Sequence, residues 1–245
     1  MARIMITGAS GGIGRALCEH LLSEGHSVMG TYWRHLENAR FCTTYKDRFA
    51  CVPMDLGEPA SMDRAVEEGV RCFGGIDAVV ALAGSAGNPE FLIRAKPQRV
   101  MDVVFQNLVG TILTARAAVP QLIKNRSSAI VLISSVSAVA PSAGMTAYAA
   151  AKSGIEGFTL ALAREYAGRG LAVTCVRLGP IRTQMLAELG DAAIDRLSAA
   201  LPTKQIPLPD DAASVIKDVL VGTLAGRLNG SVVNADAGYT VWRAM

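Results

Sequence analysis

Aromatic residues are scarce, 5% of the chain with two tryptophans, and histidine occurs three times in 245 residues. His20, His26 and His35 form no cluster of metal ligands, so no metal centre is expected. The five cysteines, Cys18, Cys42, Cys51, Cys72 and Cys175, include no CxxC pair and are odd in number. That argues against a zinc clip or a disulfide framework and favours reduced thiols in a cytoplasmic protein. Charge is sparse as well: 18% of residues are charged and 51% are hydrophobic, which excludes a disordered chain. The net +3 is spread over single Lys and Arg without a basic run, so nucleic-acid binding is not expected. Apolar runs such as Ala129–Ile133 fall far short of the roughly 20 residues of a membrane helix. Arg3-Ile4-Met5-Ile6-Thr7-Gly8 reads as a strand entering a turn, not as the core of an export signal, so the sequon Asn125-Arg126-Ser127 is expected to stay unmodified.

What is present is a regular alternation. Short apolar runs predict strands near 2–6, 27–31, 50–53, 76–82, 129–134, 172–177 and 231–233, and helical periodicity predicts helices over 12–24, 59–73, 97–124, 146–168, 185–199 and 210–224. Strands separated by crossover helices imply a Rossmann-type, doubly wound α/β fold: one seven-stranded parallel sheet with helices on both faces. No repeat or dividing linker interrupts it, so residues 1–245 read as one domain. The proline-bearing stretch from Leu201-Pro202 to Pro209-Asp210 reads as a loop under the substrate site, with Asp210 or Asp211 capping the next helix.

Thr7-Gly8-Ala9-Ser10-Gly11-Gly12-Ile13-Gly14 follows the first strand and opens a helix, the context in which such glycines hold a pyrophosphate. Gly8 permits the tight turn, Gly12 the approach of the phosphates and Gly14 the packing of helix on strand, while the free N–H groups of the helix start, Gly11, Gly12 and Ile13 among them, favour negative charge. The second strand ends Gly30-Thr31-Tyr32-Trp33-Arg34 without the acid that would hold the ribose 2′-OH of NAD. Arg34 and the Thr31 hydroxyl could serve a 2′-phosphate, which points to NADPH/NADP+; read plainly, Arg34 is a solvated charge. Asp55-Leu56, after the third strand, could hold the adenine edge, or Asp55 could be a turn residue.

The strand Ala129-Ile130-Val131-Leu132-Ile133 ends in Ser134-Ser135, and a later helix carries Tyr148-Ala149-Ala150-Ala151-Lys152. Residues four apart share a helical face. A phenol is a poor acid–base group near neutrality, but a neighbouring ammonium and an oxidised nicotinamide favour its phenolate. Ser135 would hydrogen-bond the same carbonyl oxygen that Tyr148 protonates. Taken singly, each of these is more ordinarily a surface or turn residue.

Taken together, the glycine turn, Ser135 thirteen residues before Tyr148, and Tyr148 four before Lys152 resemble the short-chain dehydrogenase/reductase family along essentially the whole chain. The resemblance implies Ser135 as the polarising hydroxyl, Tyr148 as general acid, and Lys152 as the group that lowers the Tyr148 pKa and binds the nicotinamide ribose. It further implies Asn107 as holder of a relay water, and Pro180, Ile181 and Thr183, in Leu178-Gly179-Pro180-Ile181-Arg182-Thr183, beside the nicotinamide. Where the family usually has Asn-Asn-Ala-Gly, this chain has Ala81-Leu82-Ala83-Gly84: Ala83 and Gly84 still allow the cofactor close, but the bracing of the central sheet is put in doubt.

The nearest likeness within the family is to 3-oxoacyl-acyl-carrier-protein reductases, extending to Gly157-Phe158, Ala163-Arg164-Glu165 and two basic positions, Arg126 and Arg169, that match arginines facing an acidic carrier protein. Read plainly, both are solvated charges. The expectation is reduction of a 3-oxoacyl thioester on acyl carrier protein or coenzyme A. The alternatives are a free ketone, sugar or cyclic alcohol as substrate, or a cofactor-binding subunit without turnover, against which intact Ser135, Tyr148, Lys152 and Asn107 speak. The resemblance also implies a homotetramer, although Ile155, Phe158 and Leu162 could equally be buried on the chain's own sheet. The region 182–210 is expected to form a lid.

Overall fold

The computed structural model describes residues 1–33, 44–222 and 224–243. Its strands are β1 (Arg3–Thr7), β2 (Ser27–Tyr32), β3 (Phe49–Pro53), β4 (Ala78–Ala81), β5 (Ser128–Ser135), β6 (Leu171–Leu178) and β7 (Val232–Ala235). They form one sheet in the order β3-β2-β1-β4-β5-β6-β7, every pair parallel. Parallel strands need both faces covered, and alternate residues enter two separate cores. Ile4 and Ile6 pack with Leu17 and Leu21 of α1 (Gly12–Ser23) and Ile216 of α8 (Pro209–Leu220). Met5 and Val79 pack with Met62 of α2 (Pro59–Phe73), Leu122 of α4 (Gly110–Leu122) and Ile155 of α5 (Thr146–Tyr166). Ile155 and Leu162 therefore serve the chain's own core. The strand order reverses between β1 and β4, where a doubly wound sheet opens a crevice at the carboxyl ends of its strands.

Two predicted helices are interrupted. The run 97–124 consists of α3 (Pro97–Val104), a π-helical stretch Phe105–Val109 and α4. Together Pro97–Leu122 has the length and composition of a membrane crossing, which the reading of short apolar runs did not register; here α4 buries Ala115, Ala118 and Leu122 against the sheet. The run 185–199 is split into α6 (Gln184–Ala187) and α7 (Asp191–Ala199) at Gly190, whose φ of 82° no ordinary helix accommodates. A short α9 (Tyr239–Arg243) ends the described chain. Neither Asp210 nor Asp211 is the N-cap of α8: Leu208 is, and the carboxylate of Asp211 accepts from the Leu208 N–H at 2.8 Å.

Candidate active site

At the carboxyl end of β1 the chain turns through Gly8, φ 72°, whose N–H donates to Thr31 Oγ1 at 3.3 Å. Gly11 N–H returns to the Gly8 carbonyl at 3.0 Å, and α1 begins with Gly12. Gly14 is buried directly over the Gly8 carbonyl, where any side chain would collide. Ser10 and Ile13 are half-buried on this turn, and Gly11 and Gly12 are exposed. The Cβ of Gly8, were there one, would meet Ala83 at 3.1 Å, so the turn lies against the end of β4. Thr31 is 1% exposed, and its hydroxyl accepts from the Gly8 amide. Arg34 lies outside the described residues.

The bracing that Ala81-Leu82 put in doubt comes from Thr7. Its Oγ1 accepts from the Leu82 and Ala83 N–H groups, each at 3.0 Å, and so ties β1 to β4 at the switch point. Asp55 is exposed and accepts from the Gly57 N–H at 2.7 Å, a local turn, while the Leu56 side chain packs on Gly110 of α4. Thr183 caps α6 and brings its methyl to 3.3 Å from where a Gly12 Cβ would be, so the segment Pro180–Thr183 overhangs the glycine turn; Ile181 is buried and Pro180 half-buried.

Ser135 ends β5, and its hydroxyl accepts from the Ser137 N–H at 3.2 Å. Tyr148, in the first turn of α5, is half-buried, with the Lys152 ammonium 5.5 Å from its ring centre. Lys152 is 6% exposed and donates to the Ile133 carbonyl at 2.9 Å. Burial pushes its pKa down to about 8, against a smaller opposing effect of Cys175. Burial also pushes the Tyr148 phenol above its ordinary value, with the Ser135 hydroxyl acting in the other direction. At Tyr148 burial thus outweighs the Ser135 hydroxyl, with the Lys152 ammonium close to the ring and hydrogen-bonded to Ile133.

The π-helical stretch carries Asn107, 1% exposed, whose amide nitrogen donates to Ser85 O at 2.7 Å and Val103 O at 2.9 Å. Its Oδ1 is buried without a protein partner and faces Gly84: a Cβ there would stand 2.7 Å from Oδ1 and 3.9 Å from Lys152 Nζ. Ser135, Tyr148, Lys152, Asn107 and Gly84 therefore meet at one place. Arg126 and Arg169 are exposed, and their backbones run close, since a Cβ at Gly170 would collide with the Arg126 carbonyl, but they lie at the opposite end of the sheet, before β5 and β6. Sequence reasoning missed Glu156 and Arg177, which form a bidentate pair beneath the site; no local motif signals them.

A family model described as short chain dehydrogenase matches residues 2–193. The 3-oxoacyl-[acyl-carrier-protein] reductase of Vibrio cholerae is 30% identical over 234 residues, 96% of this chain and 95% of its own length. That of Aquifex aeolicus is 32% identical over 238 residues, again covering 96% and 95%. Among solved structures, a short chain dehydrogenase from Burkholderia cenocepacia J2315 in complex with NADP superposes with a TM-score of 0.90 at 29% identity, covering 98% of each chain. With the family match running from β1 into α7 and the relatives spanning nearly the full length, the chain belongs to the short-chain dehydrogenase family of oxidoreductases.

Proposed function

We propose that residues 1–245 act as one unit that uses NADPH to reduce the ketone of a 3-oxoacyl thioester, carried on acyl carrier protein or coenzyme A, to the 3-hydroxyacyl form. The observation that carries this reading is the convergence of Tyr148, Lys152 and the unpartnered Asn107 Oδ1 beside Gly84, next to a glycine turn shaped for phosphate. The fit to a dinucleotide is supported by Gly8 and Gly84, where a Cβ would fill the approach to Ala83 and Asn107, and by the N-terminus of α1. Bound there, the cofactor supplies the hydride.

The chain's own residues do the rest. Gly8, Ser10, Gly11, Gly12, Ile13 and Gly14 hold the pyrophosphate; Asp55 and Leu56 flank the adenine edge; Ala83 and Gly84 let the backbone approach the cofactor; Pro180, Ile181 and Thr183 cover the nicotinamide. Ser135 donates to the ketone oxygen, orienting it and stabilising the charge that develops there. Tyr148 gives that oxygen its proton, keeping the resulting negative charge on the phenolate until it is reprotonated. Lys152 stabilises the phenolate, and Asn107 Oδ1 receives a water through which a proton returns. The absence of an acid at Thr31-Tyr32-Trp33 supports NADPH over NADH, as does the likeness to a relative solved with NADP.

The relatives named above support the carrier-linked substrate. β5 has eight residues, about 25 Å at 3.3 Å per residue, so a carrier docked on Arg126 and Arg169 would serve another copy's site. Assembly as a homotetramer is supported by the exposed Met101, Phe105 and Leu160 on the two long helical runs. The test is NADPH oxidation by the purified protein with acetoacetyl-CoA. Turnover lost in Tyr148→Phe with NADPH binding retained is the expected result; NADPH binding without oxidation would move the substrate to another carbonyl or to a non-catalytic role, and no binding would end the reading.

A further inference from the structure

Four polar side chains lie just below the site and take no part in the proton transfer. Ser134, Arg177 and Asn234 are register partners across β5, β6 and β7, one rung of the sheet. Glu156, one turn after Lys152 in α5, lies over that rung. Its Oε1 accepts from Ser134 Oγ at 2.8 Å and from Arg177 Nε at 2.7 Å, and its Oε2 accepts from Arg177 Nη2 at 2.7 Å. Arg177 Nη1 then donates to Asn234 Oδ1 at 2.8 Å. The Glu156 and Arg177 side chains are only 17% and 14% exposed.

An ion pair so far withdrawn from water is a poor source of stability, since an apolar pair of similar volume commonly does as well or better. Burial opposes the Glu156 charge, yet the hydrogen bonds from Arg177 and Ser134 hold its carboxyl below the usual range. Cys175, packed nearby in β6, is pushed up to about 11, chiefly by burial, and so remains a neutral thiol. Asp236 adds a small electrostatic pull on Arg177. What the pair supplies is geometry. Ser134 precedes Ser135, and its hydroxyl lies 3.2 Å from the Lys152 carbonyl. Lys152 Nζ reaches the neighbouring Ile133 carbonyl, and Arg177 leads directly into Leu178–Ile181.

We propose that Glu156 is a positioning residue: through Ser134 and Arg177 it locks α5 in register on β5 and β6, so that Lys152, Ser135 and the Pro180–Thr183 segment converge on one substrate. This rests on the reductase reading above. Glu156 acts without touching substrate or cofactor, and misplacement of reacting groups by even about an ångström costs up to roughly 100-fold in rate.

The test is the double variant Glu156→Leu/Arg177→Met, which removes both charges together, beside Glu156→Gln, which keeps an acceptor for Ser134 and Arg177. The expected result is a double variant with an unchanged melting midpoint and an NADPH Kd within about twofold of wild type, whose kcat falls about tenfold or more at unchanged KM. Glu156→Gln is expected to keep most of the kcat. A double variant with wild-type kcat overturns the proposal, as does a Gln variant as impaired as the double. Should the double variant not fold, Ser134→Ala decides: kcat falls at unchanged NADPH affinity, or the proposal is wrong. Wild-type turnover that survives Tyr148→Phe would instead remove the reductase reading itself.

Discussion

The carboxamide of Asn107 faces the backbone of Gly84 so closely that a methyl group at position 84 would stand 2.7 Å from Oδ1. A buried acceptor left unpaired costs about 1–3 kcal/mol, and a π-helical turn is a known way of aiming one side chain out of a helical ladder. Asn107 lies in the middle of that turn, Phe105–Val109. The oxygen is thus held ready for a donor from outside the protein, a water or a ligand hydroxyl.

Gly84→Ala tests this relationship. The new methyl fills the space between Asn107 Oδ1 and Lys152 Nζ, so NADPH affinity and kcat are both expected to fall, by about tenfold each, equivalent to roughly 1.4 kcal/mol apiece. Fluorescence titration and steady-state kinetics read the two separately. Wild-type values for both would mean that nothing enters this gap.

Lys152 gives a pH-dependent prediction. Its pKa in the fold is about 8 against 10.5 for the free side chain. Between these values the unfolded chain binds a proton that the folded chain does not, so stability rises with pH through that window, and the penalty is fully present below about 8. Lys152→Met removes the penalty but also the hydrogen bond to Ile133. The variant is expected to be more stable than wild type near neutral pH by up to about 2 kcal/mol, with the gap closing toward the ordinary lysine value. Urea midpoints at the two ends of the window check it; a variant less stable at neutral pH would refute it.

At the switch point, Thr7→Val replaces the acceptor for two N–H groups, Leu82 and Ala83, with a methyl of the same shape. At about 1–3 kcal/mol for each group stranded, a loss of roughly 2–6 kcal/mol is expected. Thr7→Ser should recover most of it, since only the hydroxyl matters. Denaturation curves of the pair give the answer, and equal loss in both would mean that the methyl, not the bond, braces the sheet.

Much of this was legible in the sequence because the signals are local. The apolar runs located all seven strands, and the glycine turn and the Tyr148–Lys152 spacing each lie within one loop or one helix. The π-helical turn was not legible, since it adds a residue without breaking the apolar pattern of 97–124. The break in 185–199 depended on Gly190, which a periodicity reading tolerates inside a helix. Thr7 was read as part of a phosphate motif, and its bond to β4 depends on a neighbour 75 residues away. Glu156 and Arg177 are joined only by the packing of α5 over β5 and β6, which no spacing along the chain encodes. The bond from the Gly8 amide to Thr31 Oγ1 was hidden for a related reason, since it joins the glycine turn to β2 across 23 residues.

On the carrier-linked reading proposed above, Arg126 and Arg169 would separate the carrier from the chemistry. They lie together at the amino ends of β5 and β6, a full strand length from Tyr148, and both are exposed. Charge at such a place steers encounter with an acidic partner without touching the reaction, and salt screens it. The double variant Arg126→Glu/Arg169→Glu is therefore expected to lower kcat/KM for an acyl-carrier-protein-linked substrate by about tenfold at low salt, with little change at high salt, and to leave kcat/KM for acetoacetyl-CoA as it was. Equal losses on both substrates would place the effect in folding or assembly. No loss on either would remove the two arginines from carrier recognition, and the carrier would then have to approach from the open side of the cleft, past α6 and α7.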